Sequence, residues 1–169
     1  EFVVAPMQPG PVGHLSAKPE NKQQGYKAMT AKRIYILGGY QSDFSRNWNR
    51  EGLSLFDLFS DTVKRGITAT QIDPQDIKVG HVSNFVGDLF TGQAHLGGFF
   101  GHVDPALTYL PASRHEAACA SGSMAILAAM ADLESGRYDL ACVLGIELMR
   151  NVPGDQAAEY LRPAAWAET

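Results

Sequence analysis

Cys119 is followed by Ala-Ser-Gly-Ser, and this small-residue turn opens an apolar run that continues to Glu134. A cysteine does chemistry as its thiolate, which attacks carbonyls and disulfides and binds soft metals. If the preceding extended segment ends near Ala118 and a helix starts near Ser121, the sulfur lies at a helix N-terminus. Unpaired backbone N–H groups and the helix dipole there favour an anion and raise the thiolate fraction. Ala118, Ala120, Ser121 and Gly122 are small enough to let a carbonyl approach closely. The same N–H groups could hold a developing oxyanion. The opposing reading is a buried structural cysteine, a common use of the residue. Residue chemistry alone leaves both open.

The other candidate groups carry less. Cys142 lies inside the apolar stretch "DLACVLGIELM" and reads as core. His115 precedes Cys119 by four residues, a helical pairing distance, but its segment reads as extended, which favours local hydrogen bonding over catalysis. His81, His95 and His102 show no metal-ligand spacing such as H-E-x-x-H, so no metal site is expected. "LGGY" and "GGFFG" lack the G-x-G-x-x-G and G-K-[ST] patterns of nucleotide loops. Glu147 reads as a strand-end hydrogen-bonding residue. Arg46 and Arg50 read as surface charges, with contact to a substrate phosphate as the lesser alternative.

These groups need a scaffold, and the pattern supplies one. "RIYILGGY" (33–40) suits a buried strand ending in glycine. Phe56, Phe59, Val63 and Ile67 recur at helical spacing, and Ser54 with Asp57 forms a capping pair ahead of them. "IDPQDI" is turn chemistry, and "VGHVSNF" (79–85) is a second strand. Residues 86–106 are rich in glycine, with a helix placed at 93–100. "LTYLPASRHEAAC" supplies a third extended segment. The run Ser121–Glu134 is apolar on every face, the mark of a helix buried all round, and Gly136 stops it. "DLACVLGIELM" completes a β-α-β-α-β-α-β order, which implies a mostly parallel sheet with right-handed crossovers. Residues 1–29, with scattered prolines and glycines, show no sustained helix or strand period. They read as an extension or linker whose removal costs little stability. Residues 30–154 form the expected domain, and 155–169 the start of a truncated, helical loop region.

Composition narrows the function class. The chain has 169 residues, 45% hydrophobic and 19% charged, with a net charge of -4. That suffices for one domain with a core and offers no basic face for nucleic acid. No apolar run approaches the roughly eighteen residues of a membrane span, and no secretory leader pattern is present. The expectation is a soluble, cytoplasmic α/β protein without membrane or nucleic-acid partners.

The stretch "ACASGSMAILAAMADLESGRYDLACVLGIELM" resembles the nucleophile helix and following strand of the thiolase superfamily. Cys119, Ser121, Gly122, Gly136, Tyr138, Asp139, Gly145, Glu147 and Met149 match that pattern in order, and "RIYILGGYQSDFSR" resembles the family's first strand and turn. The resemblance covers about 32–153. Glu116 departs from it, standing where many thiolases carry asparagine, which points to an outlying branch of sterol-carrier or archaeal type. The resemblance implies a thiolase-type α/β half with a layered β-α-β-α-β-α-β order, a mostly parallel sheet and a buried central helix. It implies Cys119 as the acyl-accepting nucleophile, coenzyme A thioesters as substrates and no tightly bound cofactor, while the cofactor-binding residues stay unassigned. The implied reaction is Claisen condensation or thiolytic cleavage of a β-ketoacyl-CoA. Acid and base groups would come from a histidine and a second cysteine in a C-terminal half. The partner is then a homo-oligomer or a second chain supplying that half, and a lone chain would expose apolar surface. A ketoacyl synthase-like condensing enzyme and a non-catalytic thiolase-like scaffold subunit are the alternatives.

Overall fold

Five strands, β1 (Phe2–Pro6), β2 (Ile34–Gly39), β3 (Val79–Ser83), β4 (Ala112–His115) and β5 (Ala141–Gly145), form one sheet in the order β2-β1-β5-β3-β4. This computed structural model describes residues 2–6 and 33–165. β3 pairs in parallel with both β4 and β5, whereas β1 runs antiparallel to β2 and to β5. β1 is thus the only strand among the described residues that opposes the common direction. The mostly parallel α/β sheet expected from the sequence is present.

Helices lie on both faces, as a parallel sheet requires. α1 (Leu55–Thr70) starts with the expected capping box: Asp57 N–H donates to Ser54 Oγ at 3.2 Å, and Ser54 N–H donates to the Asp57 carboxylate at 2.7 Å. Its Phe59 and Val63 are fully buried against Val82, Cys142 and Leu144 of β3 and β5. The short α2 (Gly87–Thr91) and α3 (Phe100–Val103) follow β3. The helix expected at 93–100 is instead a 3-10 turn at Leu96–Phe99 running into α3. Its glycines explain the difference, since a Cβ on Gly97 would come within 3.1 Å of the Ala112 carbonyl oxygen.

α4 (Ser121–Glu134) covers the opposite face with the bounds read from the sequence, and Gly136 just past its end takes a positive φ of 76°. Ser121, Ala125, Ala129 and Leu133 are buried against Val79, Ala141 and Val143. The helix is not buried around its whole circumference as its composition suggests. Met124 and Leu127 are 45% and 54% exposed, because no described element packs on that side. α5 (Gly154–Leu161) then leaves the sheet with no buried residue. No helix among the described residues is long and apolar enough to cross a membrane.

The N-terminus corrects the sequence reading. Residues 2–6 were expected to carry no strand, yet they form an interior one, and 7–32 lie outside the described residues. Val4 pairs with Ile36 on one side and Ala141 on the other, so β1 joins β2 to the rest of the sheet. Pro6, Pro9, Gly10 and Pro11 crowd the end of this run, and such residues read as loop punctuation from sequence alone. Proline in an interior strand removes a ladder donor and leaves the facing carbonyl without its partner, at about 1–3 kcal/mol. Val4→Pro should therefore lower the unfolding free energy in urea by an amount in that range, and deletion of 1–6 should do at least as much. A midpoint unchanged in both variants would show that β1 adds nothing to the sheet.

Candidate active site

Parallel α/β sheets present ligand sites outside the carboxyl ends of their strands. Here those ends are Ser83, His115 and Gly145, and Cys119 follows β4 by four residues. Cys119 occupies a 3-10 turn, Ala118–Ala120, that leads directly into α4. It is exposed, whereas Cys142 is buried in β5, and no disulfide joins them. The structure thus separates the two cysteines as the sequence did.

The turn is held by its neighbours. Ala118 has a φ of 48°, left-handed backbone that costs a residue with a Cβ about 1 kcal/mol or more. Ser121 braces it from inside: its Oγ accepts from Ala117 N–H at 2.9 Å and donates to the Ala118 carbonyl at 2.7 Å. The Glu116 carboxylate accepts from Ala118 N–H at 2.6 Å. Glu116, the residue that departs from the common thiolase pattern, therefore has a local structural task. Ala120, at the N-cap of α4, contributes no side-chain acceptor. The turn sits over small residues, since a Cβ on Gly122 would lie 3.8 Å from Ser83 Oγ and one on Gly145 would lie 3.1 Å from it.

A second layer of polar groups ties the strand ends together. Asn84 is 1% exposed. Its Nδ2 donates to the Ile146 carbonyl at 2.7 Å, and its Oδ1 accepts from Gly87 N–H at 2.9 Å. A Cβ on Gly87 would meet the Asn84 amide at 2.7 Å, so glycine is required there. Glu147 accepts from the backbone N–H groups of Phe85 and Val86 through one oxygen, while its other oxygen is buried without a hydrogen-bond partner. Burial raises the Glu147 pKa above the usual carboxylate range, against the lowering effect of those two N–H donors and of Arg114. Arg114 donates to the Phe85 carbonyl at 2.8 Å and to Asp88 at 2.9 Å, closing the same loop from outside.

The remaining sequence candidates fall elsewhere. His115 contacts His81 and Ser113, each at 2.9 Å. Arg46 pairs with Glu51 at 2.5 Å and lies over the Trp48 ring. No group of three or more His, Cys, Asp or Glu among the described residues is arranged to hold a metal. Two open clefts of about 420 and 400 Å³ are lined by other parts of the chain and include no residue of the Cys119 turn. Sequence reasoning missed Asn84, Ser83 and the bracing role of Ser121. The signal for the first two was a polar pair inside an otherwise apolar strand.

Comparison with known proteins comes to the same part of the chain. Residues 34–166 match the family described as "Thiolase, N-terminal domain". A protein of Methanocaldococcus jannaschii named acetyl-CoA acetyltransferase is 34% identical over 119 residues, covering 70% of this chain and 29% of that protein. One of the same name from Methanothermobacter thermautotrophicus is 28% identical over 119 residues, covering 70% and 30%. The chain thus spans less than a third of the length of these relatives.

Two outcomes test the scaffold of the turn. Ser121→Ala removes two hydrogen bonds from a half-buried turn and should cost about 1–2 kcal/mol in urea unfolding. An unchanged midpoint would remove Ser121 from the brace. For Glu147, a raised folded pKa means its contribution is fully present below the ordinary glutamate value near 4.3 and is lost as pH rises through the folded one. Glu147→Gln keeps an acceptor for the two N–H groups, so its stability relative to wild type should improve from pH 4 to pH 8. Parallel pH profiles would contradict the raised pKa.

Proposed function

The chain belongs to the thiolase family, and from that premise we propose that it provides the acyl-accepting half of a coenzyme A-dependent acyltransferase, with Cys119 as nucleophile. The observation that carries this reading is the position of Cys119. It is exposed, on a braced turn at the carboxyl end of the parallel strands and at the N-terminus of a helix whose cap residue supplies no acceptor. A carbonyl arriving there meets a nucleophile and first-turn N–H donors together.

The first half-reaction balances without any other group. The Cys119 thiolate attacks the thioester carbonyl of an acyl-CoA, and the tetrahedral intermediate places negative charge on oxygen near the start of α4. The oxygen's electron pair re-forms the carbonyl as the carbon–sulfur bond to coenzyme A breaks, leaving acyl-Cys119 and the coenzyme A thiolate, which takes up from solvent the proton that Cys119 released on ionising. Exchange of one thioester for another is nearly balanced in energy, so a cysteine suits the role of carrier. In the second half, either coenzyme A or the carbanion of a second acyl-CoA displaces Cys119. Forming that carbanion needs a base, and quenching it in reverse needs an acid. In this reading those groups, a histidine and a second cysteine by family resemblance, belong to a C-terminal half outside the residues described. No tightly bound cofactor takes part, and coenzyme A thioesters are the substrates.

Incubation with radiolabelled acetyl-CoA followed by peptide mapping tests the reading. The expected result is at most one acetyl group per chain, on the Cys119 peptide and absent in Cys119→Ala, with no steady thiolysis of acetoacetyl-CoA by this chain alone. Brief alkylation should label Cys119 far faster than Cys142. Acylation at Cys142, or equal labelling of both cysteines, would remove Cys119 from the mechanism.

A further inference from the structure

Beneath α4 the structure brings a buried histidine together with two half-buried titratable groups to which the proposed reaction gives no task. His81, in the middle of β3, is 3% exposed. Its Nδ1 lies 2.9 Å from Nε2 of His115 on the neighbouring strand β4, with the two rings 5.1 Å apart between centroids and tilted by 33°. Its Nε2 lies 3.3 Å from the carboxylate of Asp132 near the end of α4, an ion-pair distance with poor hydrogen-bond alignment. Ser113 Oγ also lies 2.9 Å from His115 Nε2. One chain of polar contacts therefore runs from α4 through β3 to β4, the edge of the sheet.

The contact between the two imidazoles restricts how many protons they can hold. A 2.9 Å N···N separation accommodates one hydrogen, because two N–H groups cannot face each other at that distance. Assigning the neutral His81 hydrogen to Nε2, where the Asp132 carboxylate is the nearest acceptor at 3.3 Å, leaves His81 Nδ1 to accept from His115 Nε2–H. The free position is then His115 Nδ1. A first extra proton enters there and leaves every contact in place. A second has only His81 Nδ1 to occupy, and it must push the two rings apart.

We propose that His81, His115 and Asp132 form an acid-sensitive latch between α4 and the β3–β4 edge, one that takes up a single proton closed and a second only by opening. Asp132 from α4 and His115 from β4 are the ionisable groups that act on His81, and Asp132 acts on His115 as well. The directions of titration agree with this order. Burial first and the charge of His115 second lower the pKa of His81, against the raising effect of Asp132, and burial lowers that of His115. With both folded values below the unfolded histidine value of about 6.5, the unfolded chain binds more protons under that pH, and stability falls as the solution is acidified. The latch stands independently of any role for Cys119.

The test combines imidazole ¹⁵N NMR with urea unfolding of the whole chain from pH 8 to pH 5. His115 should titrate first with the His81–His115 contact preserved, and protonation of His81 should coincide with loss of that contact. In His115→Gln the amide can still donate to His81 Nδ1 but takes up no proton. The unfolding constant of wild type should therefore rise with acidity more steeply than that of the variant, by up to about tenfold per pH unit for one proton. The NMR arm decides the matter even if His115→Gln does not fold. Two independent one-proton titrations with the contact intact would overturn the proposal. So would a pair that takes up no proton before global unfolding, or identical pH profiles for wild type and variant.

Discussion

How closely α4 lies against the sheet decides where the Cys119 sulfur can be. The buried stripe of α4 consists of Ser121, Ala125, Ala129 and Leu133, and it meets Val79, Ala141 and Val143. Three of those seven side chains are single methyl groups, so the helix axis comes nearer to β3 and β5 than larger residues would allow. Nearness at the N-terminal end is greater still, since Gly122 and Gly145 both border Ser83 Oγ. A bulkier residue at any of these positions would lift the first turn and move Cys119 away from the strand ends. Interiors pack at the density of organic crystals and transmit such a displacement instead of absorbing it.

The close approach has a cost, which is met with polar groups. Where strands end beneath a helix, backbone donors and acceptors lose their ladder partners while still shielded from water, and a missing partner costs about 1–3 kcal/mol. Asn84, Glu147 and Arg114 take up these groups across the loop after β3 and the segment after β5. Glu147 is the expensive member, held in surroundings that disfavour its charge. Its retention is explained by reach: one carboxylate oxygen serves two consecutive N–H groups, a geometry a neutral side chain of that length reproduces only through its carbonyl. The loops after β3 and β5 are therefore ordered by directional bonds, while both faces of the sheet are held by apolar packing.

The sequence made the framework legible wherever a physical period was long enough to repeat. The capping pair Ser54 and Asp57, the fifteen-residue-scale helices and the two apolar strands around residues 79 and 141 all follow from local rules. Cys119 was legible because its small neighbours are unusual beside a long apolar helix. What escaped is non-local. Asn84 and Glu147 matter through partners about sixty residues away in the chain, and His81, His115 and Asp132 meet only once three elements are stacked. β1 escaped because prolines and a glycine follow it at once, and its identity as a strand comes from the two neighbours it bridges. The outer face of α4 was read as covered on composition, and composition does not specify which chain segment supplies the cover.

These features bear on one another through a single property of the nucleophile turn. A reactive side chain at a helix N-terminus needs its backbone donors left available, which means the helix gives up ordinary capping. α1 has a full capping box, whereas α4 has no side-chain cap and follows directly on the Cys119 turn. The stability forgone at that cap is of the order of 1 kcal/mol, and the left-handed Ala118 adds a similar amount. Such strain persists only when surrounding contacts over-determine the turn. Ser121 and Glu116 supply that constraint at short range, and burial of Ala125, Ala129 and Leu133 supplies it along the helix. The apolar length of α4 is thus also what lets its first turn stay strained with Cys119 exposed.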